Sequence, residues 1–328
     1  MAWRRKQVAW LAAGLVLALS ACSDDGDDNS AATTAASAPS TTTAATTTAA
    51  PTTTTTTTPP TTTPAPRYYV SLGDSYASGW EPGVGNAGNG FAYQLVEEAE
   101  AAGIPLELVN FGCAGATTDS ILNSVGCPAE ALGPGAPSYD TQTQIAAAEA
   151  FLQEHPGEVA LITVSIGGND VTRCGRDPDP VVCVSTAVGS IQQNLPVLLQ
   201  RLRAAAGPDV LIVGTTYPDV ILGEWVTGSP NGQELAQLSV TAFQAIINPA
   251  LQSAYTSAGA QFVDVTAASG AYEPLTELTT LPPYGQVPSP VARVCELTYY
   301  CDQQDIHPNP AGYELIAELV LQALQAAQ

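Results

Sequence analysis

Only two histidines occur in the 328 residues, so acid–base chemistry near neutral pH has few places to start. His307 lies in DQQDIHPNPAGYELI (302–316), and His155 precedes Pro156 at the end of a helical stretch. His155 reads as a surface residue beside a negative helix terminus, which leaves His307 as the candidate base. A base of this kind activates a hydroxyl or thiol. Ser75, in LGDSYASG (72–79), sits just past a short apolar run, behind a glycine that permits a tight turn. The competing reading of that serine is a plain N-cap or Asp–Ser turn. Two further segments could steady a developing anion: NFGCAGATT (110–118) through open backbone N–H groups, and IGGND (166–170) through the Asn169 amide. GxxxxGK[ST] does not occur, and the one lysine is Lys6, so a nucleotide site is disfavoured.

These segments need elements to place them, and the pattern supplies an alternation. RYYVSLG (67–73), PLELVNFG (105–112), EVALITVSIGG (158–168), DVLIVGTTYP (209–218) and AQFVDV (260–265) read as strands. Helical stretches at 90–103, 141–155, 185–207 and 233–259 separate them, and a helix over 310–325 ends the chain. The middle strands are continuous apolar runs, as expected when both faces are covered. The expected fold is therefore α/β, a parallel sheet between helix layers. In such sheets sites form beyond the carboxyl ends of strands, where each glycine-rich segment falls. On the last helix, Tyr313, Leu315, Ile316, Leu319 and Val320 form the expected core-facing stripe.

Taken in order, GDS, the Gly115 loop, GGND and HPN resemble the SGNH (GDSL) hydrolase family over essentially all of 67–328, and most closely its secreted bacterial esterase and lipase branch. The resemblance implies a three-layer α/β/α sandwich (flavodoxin-like) and ester hydrolysis through an acyl-enzyme. It implies Ser75 as nucleophile, His307 as base, and an oxyanion site made by the Ser75 and Gly115 N–H groups and the Asn169 side chain. No GxSxG is present, which excludes the α/β-hydrolase elbow. One departure stands out. The family pattern DxxH puts an acid three residues before the histidine, and here that position is Gln304. The Gln304 backbone carbonyl is the leading candidate to orient the ring, as a Ser–His dyad; Asp305 through a shifted turn and Asp302 from further back are the alternatives. No cofactor or metal is implied. Lipase or carboxylesterase activity leads, with removal of O-acetyl groups from cell-wall or environmental polysaccharide second, and a non-catalytic binding module on the same fold third. Trp80 and the segments 219–232 and 271–292 are expected to shape the pocket.

The bulk properties set the location. MAWRRKQ followed by VAWLAAGLVLALS has the basic and apolar regions of an export signal (1–21), too short to span a bilayer. Leu19-Ser20-Ala21-Cys22 resembles the bacterial lipobox, which implies lipid attachment at Cys22. SDDGDD and a Thr/Ala/Pro/Ser-rich stretch to Pro66 then read as a disordered spacer (22–66) ahead of the catalytic domain (67–328). Beyond the signal the chain holds six arginines against 31 acidic residues, a net of about −25. Such a surface repels phosphate backbones and anionic headgroups, so nucleic acid is not an expected partner and membrane residence falls to the N-terminal lipid anchor. The expected partner is a small-molecule or lipid ester, and the expected location is the outer face of the cell membrane. Six cysteines remain after Cys22, as near neighbours: Cys113 with Cys127, Cys174 with Cys183, and Cys295 with Cys301. In an exported chain they read as three local disulfides; metal binding is disfavoured because no CxxC occurs.

Overall fold

Parallel strands feel the right-handed twist of the chain and need helical crossovers, and the short apolar runs here are joined in that way. A computed structural model describes residues 67–328; the signal, Cys22 and spacer expectations lie outside the described residues. Five strands form one sheet: β1 (Arg67–Gly73), β2 (Leu106–Asn110), β3 (Val159–Ser165), β4 (Leu211–Thr215) and β5 (Gln261–Val263). Their spatial order is β2-β1-β3-β4-β5, with every pairing parallel. This is the flavodoxin-like order, whose switch point lies between β1 and β3.

Alternating side chains cover the two faces. Val70, Leu72, Ile162, Val164 and Ile212 join one core with the helices Gln144–Glu154, Pro180–Ala206 and Asn248–Ser257. Tyr69, Leu161 and Val213 join the opposite core with Phe91–Ala101 and the C-terminal helix Pro310–Ala326. Three layers result, as the pattern predicted. The C-terminal helix buries Tyr313, Ile316, Ala317, Val320 and Leu324, while Leu315 and Leu319 are only half-buried on its flank. Each fully buried large side chain of that stripe contributes about 1.5–3 kcal/mol over exposure. Asn309 caps the helix by accepting the Gly312 N–H at 3.1 Å, and Pro310 occupies the first turn.

Two expectations about elements change. The single helix expected over 233–259 divides into Gly232–Ala242, a π-helical turn Phe243–Ile247, and Asn248–Ser257. Pro249 has no N–H and its ring crowds the carbonyl four residues back, so the helix widens ahead of it. The segment 271–292 is not all loop: it carries an antiparallel hairpin, Leu278–Leu281 with Gly285–Pro288, and leads into the helix Ser289–Leu297. Together with Val220, Leu222, Ala236 and Tyr300 this segment forms a small third core.

All three expected disulfides form, with Cα–Cα separations within the range such bridges span. Cys113 is bonded to Cys127 (6.0 Å), Cys174 to Cys183 (5.5 Å) and Cys295 to Cys301 (5.2 Å). Their work is structural, and two of them act on segments that carry chemistry. Cys127 is buried, and its bond to Cys113 closes the loop that follows β2 and contains Gly115. Cys301 lies in the short helix Tyr300–Gln303, and its bond to Cys295 ties that helix to Ser289–Leu297 just ahead of His307. The Cys301 carbonyl also accepts the Tyr284 hydroxyl at 3.0 Å, which joins the same turn to the hairpin segment.

Candidate active site

β1 ends at Gly73, where no other residue fits: φ is +142° and a Cβ would run into the Ser165 carbonyl. The Gln144 side chain pins this glycine. Its Oε1 accepts the Gly73 N–H at 2.8 Å and its Nε2 donates to the Gly73 carbonyl at 3.0 Å. The next residue, Asp74, caps the short helix Ser75–Ser78 by accepting the Tyr76 N–H at 3.0 Å. Ser75 thus stands at the first position of that turn, 6 % exposed. Asp74 is buried and also accepts the Tyr217 hydroxyl at 2.7 Å. Desolvation pushes its carboxyl up to about 7 despite those hydrogen bonds.

Beyond β2 the chain bends back at Gly112, which packs against Ala77 and Ser78 too closely for a side chain. Gly115 follows with φ +87° and open space around it, so conformation and not crowding requires glycine there. Past β3, Gly167 takes φ +112° and starts the helix Gly168–Thr172. Asn169 Nδ2 donates one hydrogen to the Ala116 carbonyl at 2.9 Å, which fixes the amide and leaves its second N–H free to donate. Asp170 ties the same two loops, accepting the Thr118 N–H at 2.9 Å and its hydroxyl at 2.6 Å. Among the described residues, the N–H groups of Ser75 and Gly115 have no hydrogen-bond partner. Two main-chain N–H groups and one amide hydrogen are therefore unpaired.

His307 arrives from the other end of the chain. Its Nε2 is 2.8 Å from Ser75 Oγ, across 232 positions of sequence. Its Nδ1 is 2.6 Å from Asp305 Oδ1, which also accepts the His307 backbone N–H at 3.0 Å. This corrects the expectation for Gln304: its carbonyl does not meet the ring, and Asp305 does. The cause is local. Gln304 ends the short helix Tyr300–Gln303 with φ +53°, the one non-glycine residue in the left-handed region among those described. That turn swings the following carboxylate under the imidazole. Asp302 is exposed and accepts the Tyr284 hydroxyl at 3.2 Å instead. Burial lowers the His307 pKa below 6.5, partly opposed by Asp305, so the ring is neutral at pH 7 and able to take a proton. Trp80 lies beside it, ring centroids 6.1 Å apart. His155 is remote, stacked on Phe151 with its Nδ1 at 2.9 Å from that residue's carbonyl.

The arrangement places a base with a carboxylate partner within reach of the Ser75 hydroxyl. Four neighbours of these groups escaped the sequence reading: Asp74, Tyr76, Gln144 and Tyr217. Asp74 alone carried a signal, as the residue preceding the serine; a tyrosine or glutamine bounding an apolar run reads as ordinary packing.

No curated protein sequence matches the chain. Among solved structures, the chain resembles the extracellular lipase of Streptomyces rimosus at 20% identity and TM-score 0.47, over 80% of this chain and 100% of that one. It also resembles a phospholipase A1 from Streptomyces albidoflavus (19%, 0.45, 80% and 100%). A third is an acetyl-xylooligosaccharide esterase variant from Geobacillus (15%, 0.45, 79% and 94%). At such identities and scores these likenesses say nothing of substrate. The GDSL-like lipase/acylhydrolase family model matches residues 71–315, the span that contains every residue of the site just described. The chain belongs to the GDSL-like lipase/acylhydrolase family and is a carboxylic ester hydrolase.

Proposed function

We propose that the chain is an exported, lipid-tethered serine esterase of carboxylesterase or lipase type, working through an acyl-enzyme on Ser75. Ser75 Oγ attacks the ester carbonyl as His307 Nε2 takes its proton. The tetrahedral oxyanion is held by the N–H groups of Ser75 and Gly115 and by Asn169 Nδ2. Collapse expels the alcohol, which receives the proton from His307; water then repeats the sequence and frees the acid. Asp305 holds the ring tautomer with Nδ1–H and stabilises the imidazolium. The observation that carries this reading is the continuous line from Ser75 Oγ through His307 to Asp305, at 2.8 and 2.6 Å. The disulfides suit an oxidising compartment, and Cys22 would supply the anchor. An ester partner in solution or in a lipid phase follows; a strongly acidic surface does not favour nucleic acid. A serine-reactive fluorophosphonate tests the core of the reading. Labelling that Ser75→Ala and His307→Ala both abolish supports it, and labelling undiminished in Ser75→Ala overturns it.

A further inference from the structure

The ends of β1 and β3 and the loop before the last helix each deliver a reacting residue, whereas the end of β4 delivers none. It delivers Tyr217, which is 8 % exposed and whose carbonyl accepts the Thr266 hydroxyl at 2.7 Å. The contacts of its side chain fall on the neighbours of the reacting groups. Its hydroxyl donates to Asp74 Oδ2 at 2.7 Å, and Asp74 directly precedes Ser75. Its ring covers Gly168 so closely that a Cβ there would stand 2.9 Å from ring carbons, and Gly168 directly precedes Asn169. It also packs edge-on against the Tyr76 ring, centroids 4.8 Å apart. The Tyr76 hydroxyl in turn donates to the Ile306 carbonyl at 2.6 Å, and Ile306 directly precedes His307. Nucleophile, oxyanion donor and base come from three separate segments, and one aromatic pair touches the backbone or side chain just upstream of each.

We infer that Tyr217, acting with Tyr76, is a positioning residue that sets the mutual register of Ser75, Asn169 and His307. Reacting groups on independent loops drift, and a displacement near 1 Å can cost about 10²-fold in rate. The Tyr217 hydroxyl restrains that drift on the serine side, because the carboxylate it holds also caps the Ser75 turn. Packing over Gly168 restrains the donor side, and the Tyr76 hydroxyl restrains the histidine side. A tyrosine serving only as core filler would need its ring and not its hydroxyl, and this distinguishes the two roles.

The inference rests on the Ser75–His307 reading, so fluorophosphonate labelling of wild type and Ser75→Ala is run alongside to judge that reading separately. On a short-chain aryl ester, Tyr217→Phe lowers kcat about 10- to 100-fold with KM within about twofold, the scale expected from misplacement alone. Asp74→Ala shows a similar loss, while Asp74→Asn, whose amide can still bond both the Tyr76 N–H and the Tyr217 hydroxyl, recovers most of it. In the double variant Asp74→Ala/Tyr217→Phe the losses do not multiply, since both variants remove the same Asp74–Tyr217 contact. A Tyr217→Phe enzyme with wild-type kcat overturns the inference, and so do losses that multiply in the double variant. Should Tyr217→Phe not fold, Tyr76→Phe decides: a fall of about tenfold in kcat at unchanged KM supports the register, and a wild-type kcat overturns it.

Discussion

Removing the Asp305 carboxylate probes the most exposed link in the line from Ser75 through His307. Its Oδ1 accepts two hydrogens from His307, the ring N–H at 2.6 Å and the backbone N–H at 3.0 Å. One bond fixes the tautomer and the other the approach of the ring, so Asp305→Ala loses both. A charge-assisted hydrogen bond contributes about 1.5–3 kcal/mol, and the imidazolium formed during attack loses its counter-charge as well. Deleting a fully enclosed triad aspartate can cost about 10⁴ in kcat. Here the Asp305 side chain is 27% exposed and that of His307 is 12%, so water replaces part of the interaction. The expected fall is about 10²–10³ in kcat, or about 2.7–4 kcal/mol at 1.36 kcal/mol per decade. The direction of the pH shift is also fixed. Burial lowers the His307 pKa and Asp305 opposes that lowering, so without Asp305 the acid limb of kcat/KM moves to lower pH. The assay is hydrolysis of a short-chain aryl ester from about pH 4.5 to 8, with Asp302→Ala as the control that stays within about twofold. An Asp305→Ala enzyme with kcat within about threefold of wild type and an unmoved acid limb would refute the role given to this carboxylate.

Asn169→Ala should lower kcat about 10²–10³-fold with little change in KM, measured on the same ester, because the lost donor acts on charge that develops only during reaction. Gly73→Ala should not accumulate as folded protein, since the added Cβ meets the backbone carbonyl of Ser165; soluble yield and circular dichroism report it. Asp219 is fully buried and desolvation raises its carboxyl from 3.8 to about 7. A raised acid binds its proton more tightly when folded, so its contribution is complete below pH 3.8 and is lost as pH rises through about 7. Between about pH 5 and about pH 8, wild type should therefore lose on the order of 3 kcal/mol relative to Asp219→Asn, read from urea midpoints of both.

The fold was legible because its signals are redundant. β1, β3 and β4 are apolar on both faces, glycines mark their ends, and amphipathic stretches separate them. The pairing of Cys113 with Cys127 and of Cys295 with Cys301 was legible too, since short spacing leaves each cysteine one near neighbour. Ser75, Gly115, Asn169 and His307 each follow a boundary visible in the chain, so their resemblance to a known set sufficed to name them. The partner of His307 was not legible, since it depends on one backbone dihedral. Glutamine at 304 gives no hint of a left-handed turn, as glycine or asparagine would, and an untwisted reading places Asp305 to the side. Pro249 marks the break in the helix over 233–259, and the reading of that stretch as one helix gave it no weight. Tyr217 was hidden for another reason: a tyrosine after an apolar run is ordinary core packing, and only its spatial neighbours give it meaning.

The clasp of Gln144 on Gly73 has one more consequence. A primary amide carries no ionisable proton anywhere in the range where an enzyme survives. The floor beneath the nucleophile is thus electrically constant, whatever the acidity outside. Changes of medium therefore reach Ser75 through the titratable groups around it, its neighbouring carboxyl and its imidazole among them, and not through this clasp.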